Sequence, residues 1–387
     1  MLERDRCGLG ASRGNTGWLC PVLSAPLPAP GVMATALRGM LRPSRSPVLV
    51  RPFFGPRFLL WSWGFWRACS ADRYRRGLAD TLALALPAFE LYEEMRLAGV
   101  SFDHYTNGMI VAATSEEGLA EYEAMLAEAQ AAGYPWPVER LEPREARALE
   151  PALSDAVLGA LFVPEERYVR PESVAAGLVS FLRERGAEIH ENQEVAALER
   201  APGGWIVRTR DAALEAEQVV IAAGVWSGGL LSSLGLRVSM EAAKGYSITA
   251  TGSATPPAHA LYLAEAKVGT STYGNRLRIA GVFDLTGMDL SLRRSRIESM
   301  VRSSLAYLRD WRPLEDELEW SGLRPYPADG LPIIGPVPGR PGLVLATGHG
   351  RMGVTLAPST GEAVRALVLD GVVAPEIRPF GVERRGR

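Results

Sequence analysis

At 387 residues and 47% hydrophobic content, the chain can bury a large core and is long enough for two domains. Its 42 basic and 44 acidic residues leave a net charge of -2, which argues against an extended polyanion-binding surface and so against nucleic acid as a partner. Three cysteines (Cys7, Cys20, Cys69) without paired spacing, and no clustered histidines, give no disulfide framework and no metal centre, and fit a reducing cytoplasm.

The first ~75 residues are rich in Gly, Pro, Arg and Trp and show little periodicity, which predicts a loop-rich segment. Met1 is followed at once by charged residues, unlike a signal peptide. From Val48 to Trp66 the chain is apolar and aromatic, but Arg51, Arg57 and prolines interrupt it short of the ~20 residues a spanning helix needs. Trp61, Trp63 and Trp66 with flanking arginines resemble a patch lying against a membrane; the other reading packs them into the core or a pocket wall.

Leu119, Tyr122, Leu126 and Ala129 recur at helical spacing, with Thr114 and Glu117 predicting a capping box. A second helix is expected over 172–185, stopped by Gly186. Strands are predicted at 187–190, 194–198 and 205–209. The run 218–223, almost wholly apolar, reads as a strand covered on both faces. Short alternating segments from Ser239 to Asp284 predict an antiparallel sheet, followed by a helix over 294–311, a strand over 342–347 and a helix to about Leu369. The expected fold class is α/β plus α+β: a discontinuous α/β domain (1–45, 165–240, 322–387) carrying an inserted α+β domain (46–164, 241–321).

The most informative stretch is 321–335 together with 343–353. It joins Arg324 to an apolar strand that stops in the glycine-rich corner Gly348-His349-Gly350, after which a helix begins. Such a corner lets backbone approach a flat ligand, and the helix start offers unpaired N–H groups to negative charge. An ordinary tight turn is the alternative.

With these motifs the chain resembles the FAD-dependent D-amino-acid oxidase superfamily, in its glycine-oxidase and D-amino-acid-dehydrogenase branch. The resemblance is carried by Gly8 to Gly17, Val219 to Ser227, the substrate-domain segments at Lys244, Leu263, Leu277 and Met288, and the closing Gly-Leu-Arg-Pro and Gly-His-Gly-Arg-Met-Gly motifs. One departure stands out. The family opens with a strand, a G-x-G-x-x-G turn and a helix, whereas Met1-Leu-Glu-Arg-Asp looks like the tail of the following strand, with Glu3 in the place of the ribose-binding acid. About one βαβ unit of ~30 residues is therefore expected to be missing ahead of Met1, leaving the Rossmann-like domain N-terminally truncated.

The resemblance implies non-covalent FAD, with no cysteine near the flavin-facing motifs. It places Glu3, Ser12, Arg13 and Asn15 at ribose and phosphates, Val195, Gly224 and Trp226 at the adenosine half, and Gly348, Gly350, Met352, Gly353 and Val354 at the flavin, where amides from Arg351 to Val354 stabilise charge on the reduced ring. Ser12 to Asn15 otherwise form a polar loop. Arg324 matches the family's carboxylate-binding arginine, the alternative being a salt bridge to Asp329. Arg351 matches a second arginine or faces solvent. His349 is an acid–base candidate or a packing residue. Lys244, Tyr246 and Tyr326 are candidates for the substrate pocket or its rim. The implied activity is oxidation of the CH–NH bond of a D-amino acid, glycine or related amine to an imino acid that hydrolyses to a keto acid and ammonia, with a dehydrogenase favoured over an oxidase and electrons passed to a quinone, another carrier or oxygen. A remnant that does not bind FAD is the alternative.

Overall fold

Strand Met109–Ala113 is apolar throughout and buried at every residue, as a central strand must be. It runs parallel to Ala260–Leu263 on one side and antiparallel to Gly159–Val163 on the other. In the computed structural model, which describes residues 1–33, 48–50, 55–314 and 318–384, nine described strands join one sheet. From one edge the order is Leu318–Pro327, Met240–Thr251, Arg276–Leu285, Val268–Tyr273, Ala260–Leu263, Met109–Ala113, Gly159–Val163 and Glu139–Leu141, and Val48–Val50 pairs with the end of Arg276–Leu285. Apolar groups fill both faces: Tyr122, Leu126 and Val111 on one, Ile248, Ile297 and Met300 on the other.

A second set of strands lies apart from this sheet. Val219–Ile221 is parallel to Leu343–Thr347, which is antiparallel to Ile333–Pro336. Leu2 makes a parallel bridge to His190, and both Leu2 and Val219 pack on the apolar group around Trp205, Ile221 and Leu345. Helix Gly353–Asp370 follows the Leu343–Thr347 strand and packs on Ala71–Ala85 and Ala88–Leu97. Pro358 inside it lacks the N–H that would bond the Val354 carbonyl, and the Tyr92 hydroxyl donates there instead at 2.9 Å.

Several expectations need correction. The segment 187–190 forms only the single bridge at His190. Strand Val219–Ile221 has a partner on one edge only among the described residues, and Val220 is 41% exposed, so it is not covered on both faces. Ser115, not Thr114, caps helix Glu116–Ala131, because its hydroxyl accepts from the Gly118 N–H. The helix from Arg294 ends at Ser304, and Tyr307, Leu308 and Trp311 reach the core from the following turn. Part of the expected loop-rich start is helix Pro56–Ala68, whose Trp61, Phe65 and Ala68 recur at helical spacing. Residues 34–47 and 51–54 of that segment, including Arg51, lie outside the described residues.

Candidate active site

A cavity of about 3070 Å³ runs from the Met1–Glu3 segment and the free edge of Val219–Ile221 to the large sheet. That is several times the ~300–1,000 Å³ of an ordinary small-ligand pocket and suits a long cofactor with a substrate beside it.

At the sheet end, strand Leu318–Pro327 brings Arg324 and Tyr326 to the cavity. The register of Met240–Thr251 against Arg276–Leu285 shifts between Lys244 and Tyr246, and Gly245 lies in that shift. A Cβ on Gly245 would stand 2.3 Å from Arg324 Nη2, so the guanidinium rests on bare backbone. Arg324 Nη1 donates to the Val282 carbonyl at 2.9 Å. No described carboxylate forms a salt bridge with Arg324, and the alternative partner Asp329 is held by Arg384 at 2.8 Å. Burial pushes the Arg324 guanidinium below its ordinary value. A cation in this position has no bonded carboxylate, the Asp284 charge acting on it only from a distance.

The glycine corner is tied to the same strand. Gly350 N–H donates to the Pro325 carbonyl at 3.0 Å, and the Tyr326 ring covers Gly350. Both Gly348 (φ 77°) and Gly350 (φ 53°) are left-handed, and a Cβ on Gly348 would meet Pro327 at 2.6 Å. Arg351 Nη2 donates to the carbonyls of Leu23 and Ala25 at 3.1 and 2.9 Å, and no described carboxylate pairs with it either. Arg324 and Arg351 thus share one cavity. Helix Gly353–Asp370 starts against it with no side-chain cap and no acid in its first turn, so N–H groups of its first turn lack intrahelical partners where Gly353, Val354 and Thr355 line the cavity.

His349 also lines the cavity. Burial pushes its imidazole down to about 4, and it shares a 3.0 Å hydrogen bond between Nε2 and Thr360 Oγ1. It is a neutral ring anchoring the corner to the helix.

The chain matches the family model described as FAD dependent oxidoreductase over residues 1–367. It belongs to the FAD-dependent oxidoreductase family. Among relatives, it is 31% identical to a D-amino acid dehydrogenase of Methylobacterium radiotolerans, over 97% of this chain and 91% of that one. It is 32% identical to D-amino acid dehydrogenase 2 of Pseudomonas aeruginosa, over 99% and 91%. Among solved structures, glycine oxidase from Geobacillus kaustophilus superposes with a TM-score of 0.77 at 25% identity, over 99% of this chain and 91% of that one. These similarities favour an enzyme over a non-catalytic remnant.

The residues present fit the FAD of this oxidoreductase family. The uncapped helix start suits the electron-rich edge of the flavin, and the cavity reaches Glu3, Ser12, Asn15, Val195, Gly224 and Trp226 at its other end. Arg4 lies over the Trp226 ring at 4.2 Å, and the Gly224 carbonyl accepts from the Thr347 hydroxyl at 2.8 Å. Arg278, 3% exposed, holds the Ser12–Asn15 loop in shape by donating to the carbonyls of Arg13 and Asn15 while paired with Glu172.

Three expected residues sit differently. Arg13 does not line the cavity; its carbonyl serves Arg278. Gly348 does not line it either, being covered by Pro327. Lys244 is fully buried, with Nζ 2.9 Å from Asp289 and 3.0 Å from the Ser291 carbonyl, so its charge is already answered. Lys244→Met is accordingly expected to lower thermal stability while leaving substrate KM within about twofold, measured by melting and steady-state kinetics. Tyr246, by contrast, lines the cavity, although it is only 1% exposed and also packs with Ile297 and Met300. Met352, Gly353 and Val354 line the cavity as expected positions, with Met352 and Val354 buried.

Sequence reasoning missed an aromatic group opposite Arg351. Trp18, Tyr122 and Tyr262 line the cavity, with Tyr262 ring centroids 5.0 Å from Tyr122 and 5.7 Å from Trp18. Lys267 Nζ lies 3.1 Å from the Tyr122 hydroxyl. Burial pushes both tyrosine hydroxyls well above their ordinary value, so they remain donors. The signal was alternation: Leu261 and Leu263 enter the core beneath the sheet, which turns Tyr262 to the other face.

Proposed function

We propose that the chain oxidises the CH–NH bond of a D-amino acid, or of glycine or a similar amine, to an imino acid that water then converts to a keto acid and ammonia. The observation that carries this reading is Arg324: a cavity-facing guanidinium seated on Gly245, bonded to one carbonyl and paired with no described carboxylate. A planar two-pronged donor of this kind matches a substrate carboxylate, whose charge would answer that of the arginine.

Bound FAD supplies the hydride acceptor. Arg324 fixes the carboxylate and so the direction of the α C–H bond, with the Arg351 charge beside it. Tyr122 and Tyr262 close the pocket as hydrogen-bond donors on an aromatic wall. Amides at the start of Gly353–Asp370 stabilise negative charge on the cofactor edge. A neutral substrate amine supplies its own electron pair as the hydride leaves, so no protein base is required, and a neutral His349 suits a positioning role. The named relatives favour a dehydrogenase that passes electrons to a carrier other than oxygen.

The test is anaerobic mixing of flavin-loaded protein with a panel of D-amino acids, glycine and N-substituted glycines. Bleaching of the oxidised flavin absorbance by at least one is expected, followed by faster reoxidation with an artificial dye than with oxygen. A flavin that stays oxidised across the whole panel overturns the proposal.

A further inference from the structure

Helix Pro56–Ala68 has two apolar faces. At about 100° per residue, Phe58, Trp61 and Phe65 fall on one side, where they line the cavity and Trp61 Nε1 donates to the Tyr326 carbonyl at 2.9 Å. Leu59, Leu60, Trp63 and Trp66 fall within an arc of about 120° on the opposite side. These four are 54%, 61%, 53% and 61% exposed. Burial in the protein explains the first face and leaves the second unexplained.

Charge identifies its partner. No Asp or Glu occurs between Asp5 and Asp72, while the same stretch carries Arg6, Arg13, Arg38, Arg42, Arg45, Arg51, Arg57 and Arg67, in a protein whose net charge is -2. On the helix itself Arg57 and Arg67 are exposed, and Arg67 lies over the Trp63 ring at 4.7 Å. Tryptophan and leucine on one face with arginines at the flanks is the composition of a helix that lies in the headgroup region of a bilayer. Among the described residues no helix is long and apolar enough to cross one.

We propose that the Leu59-Leu60-Trp63-Trp66 face docks on an anionic lipid bilayer, the aromatic and leucine side chains entering the headgroup boundary and Arg57 and Arg67 pairing with lipid phosphates. Docking there brings the lipid to within one helix diameter, about 10–12 Å, of the cavity wall formed by Phe58, Trp61 and Phe65.

Cosedimentation of the flavin-loaded full chain with vesicles tests it. Binding is expected to vesicles of phosphatidylcholine containing phosphatidylglycerol, weaker by at least tenfold to phosphatidylcholine alone, and weakened by 1 M salt, where the screening length falls to about 3 Å. The double variant W63S/W66S should lose at least tenfold in affinity while keeping flavin content and dye-linked turnover, since neither residue touches the cavity. L59S/L60S should do the same. Equal sedimentation of wild type and both variants, or no binding of the wild type to anionic vesicles, overturns the inference. So does a wild-type chain that self-associates through this face and releases lipid as it does so. Vesicle binding is read without substrate, so its loss with turnover intact refutes the docking face alone, and its persistence in a protein that oxidises no amine refutes only the catalytic reading.

Discussion

Arg324→Leu is expected to lower kcat/KM for the preferred amino acid about 100-fold, the kinetic equivalent of roughly 3 kcal/mol of charge-assisted contact. KM should rise steeply, because the lost fork holds the carboxylate in the ground state as well as during hydride transfer. Bound flavin should be retained, since the guanidinium is held by the Val282 carbonyl and the face of Gly245, away from the helix start at Gly353. The fold should also tolerate the change, as no described ion pair is broken and a cation without a bonded carboxylate is removed. Amines without a carboxylate should be far less affected, so the ratio of the two substrate classes is the sharper readout. Wild-type kinetics in this variant, measured beside flavin content, would remove Arg324 from the site. Arg324→Lys should recover only part of the loss, because a point charge on a flexible stem cannot reproduce the two-pronged geometry.

Arg324 and its corner were legible in the sequence because they are contiguous. A glycine-rich break after an apolar strand, followed by helix periodicity, is written in neighbouring residues, and the structure ties it to the Arg324 strand by the hydrogen bond from the Gly350 N–H to the Pro325 carbonyl. Lys244 was misplaced for the opposite reason. Which face of a strand it occupies depends on the register shift at Gly245 that separates it from Tyr246, and a shift of one residue exchanges the two faces. The aromatic wall was hidden because Trp18, Tyr122 and Tyr262 come from three distant segments and meet only across the sheet. Tyr122 reads simply as a core residue of its helix. Helix Pro56–Ala68 was obscured by its own composition: a helix apolar on two faces shows little amphipathic contrast, so it resembles an irregular apolar run.

Glu166 was also invisible, and it controls the loop that Arg351 grips. It is fully buried; Oε1 accepts from the Tyr134 hydroxyl at 2.8 Å and the Val22 N–H at 3.1 Å, while Oε2 has no partner. The segment it holds continues to Leu23 and Ala25, whose carbonyls accept from Arg351. Burial pushes the carboxyl up to about 8. Between its unfolded value near 4.5 and about 8, the folded chain keeps a proton there that the unfolded chain releases, so this group's contribution to stability falls as pH rises. His349 works in the other direction: held down to about 4, it favours folding increasingly as pH rises, but only up to its ordinary value of 6.5. From pH 6.5 to 8 Glu166 outweighs the small remainder of that opposition, and these two groups together should cost the wild type about 1 kcal/mol of unfolding free energy across this window. Glu166→Gln replaces the protonated acid with a neutral group of the same shape that still accepts from Tyr134 and Val22. Its stability should stay nearly flat over the same interval and exceed that of the wild type at pH 8, whereas Glu166→Ala, which strands both donors, should be destabilised at every pH. Urea titrations at pH 6.5, 7.25 and 8 decide the matter: parallel slopes for wild type and Glu166→Gln would show that the carboxyl is already ionised in the folded protein.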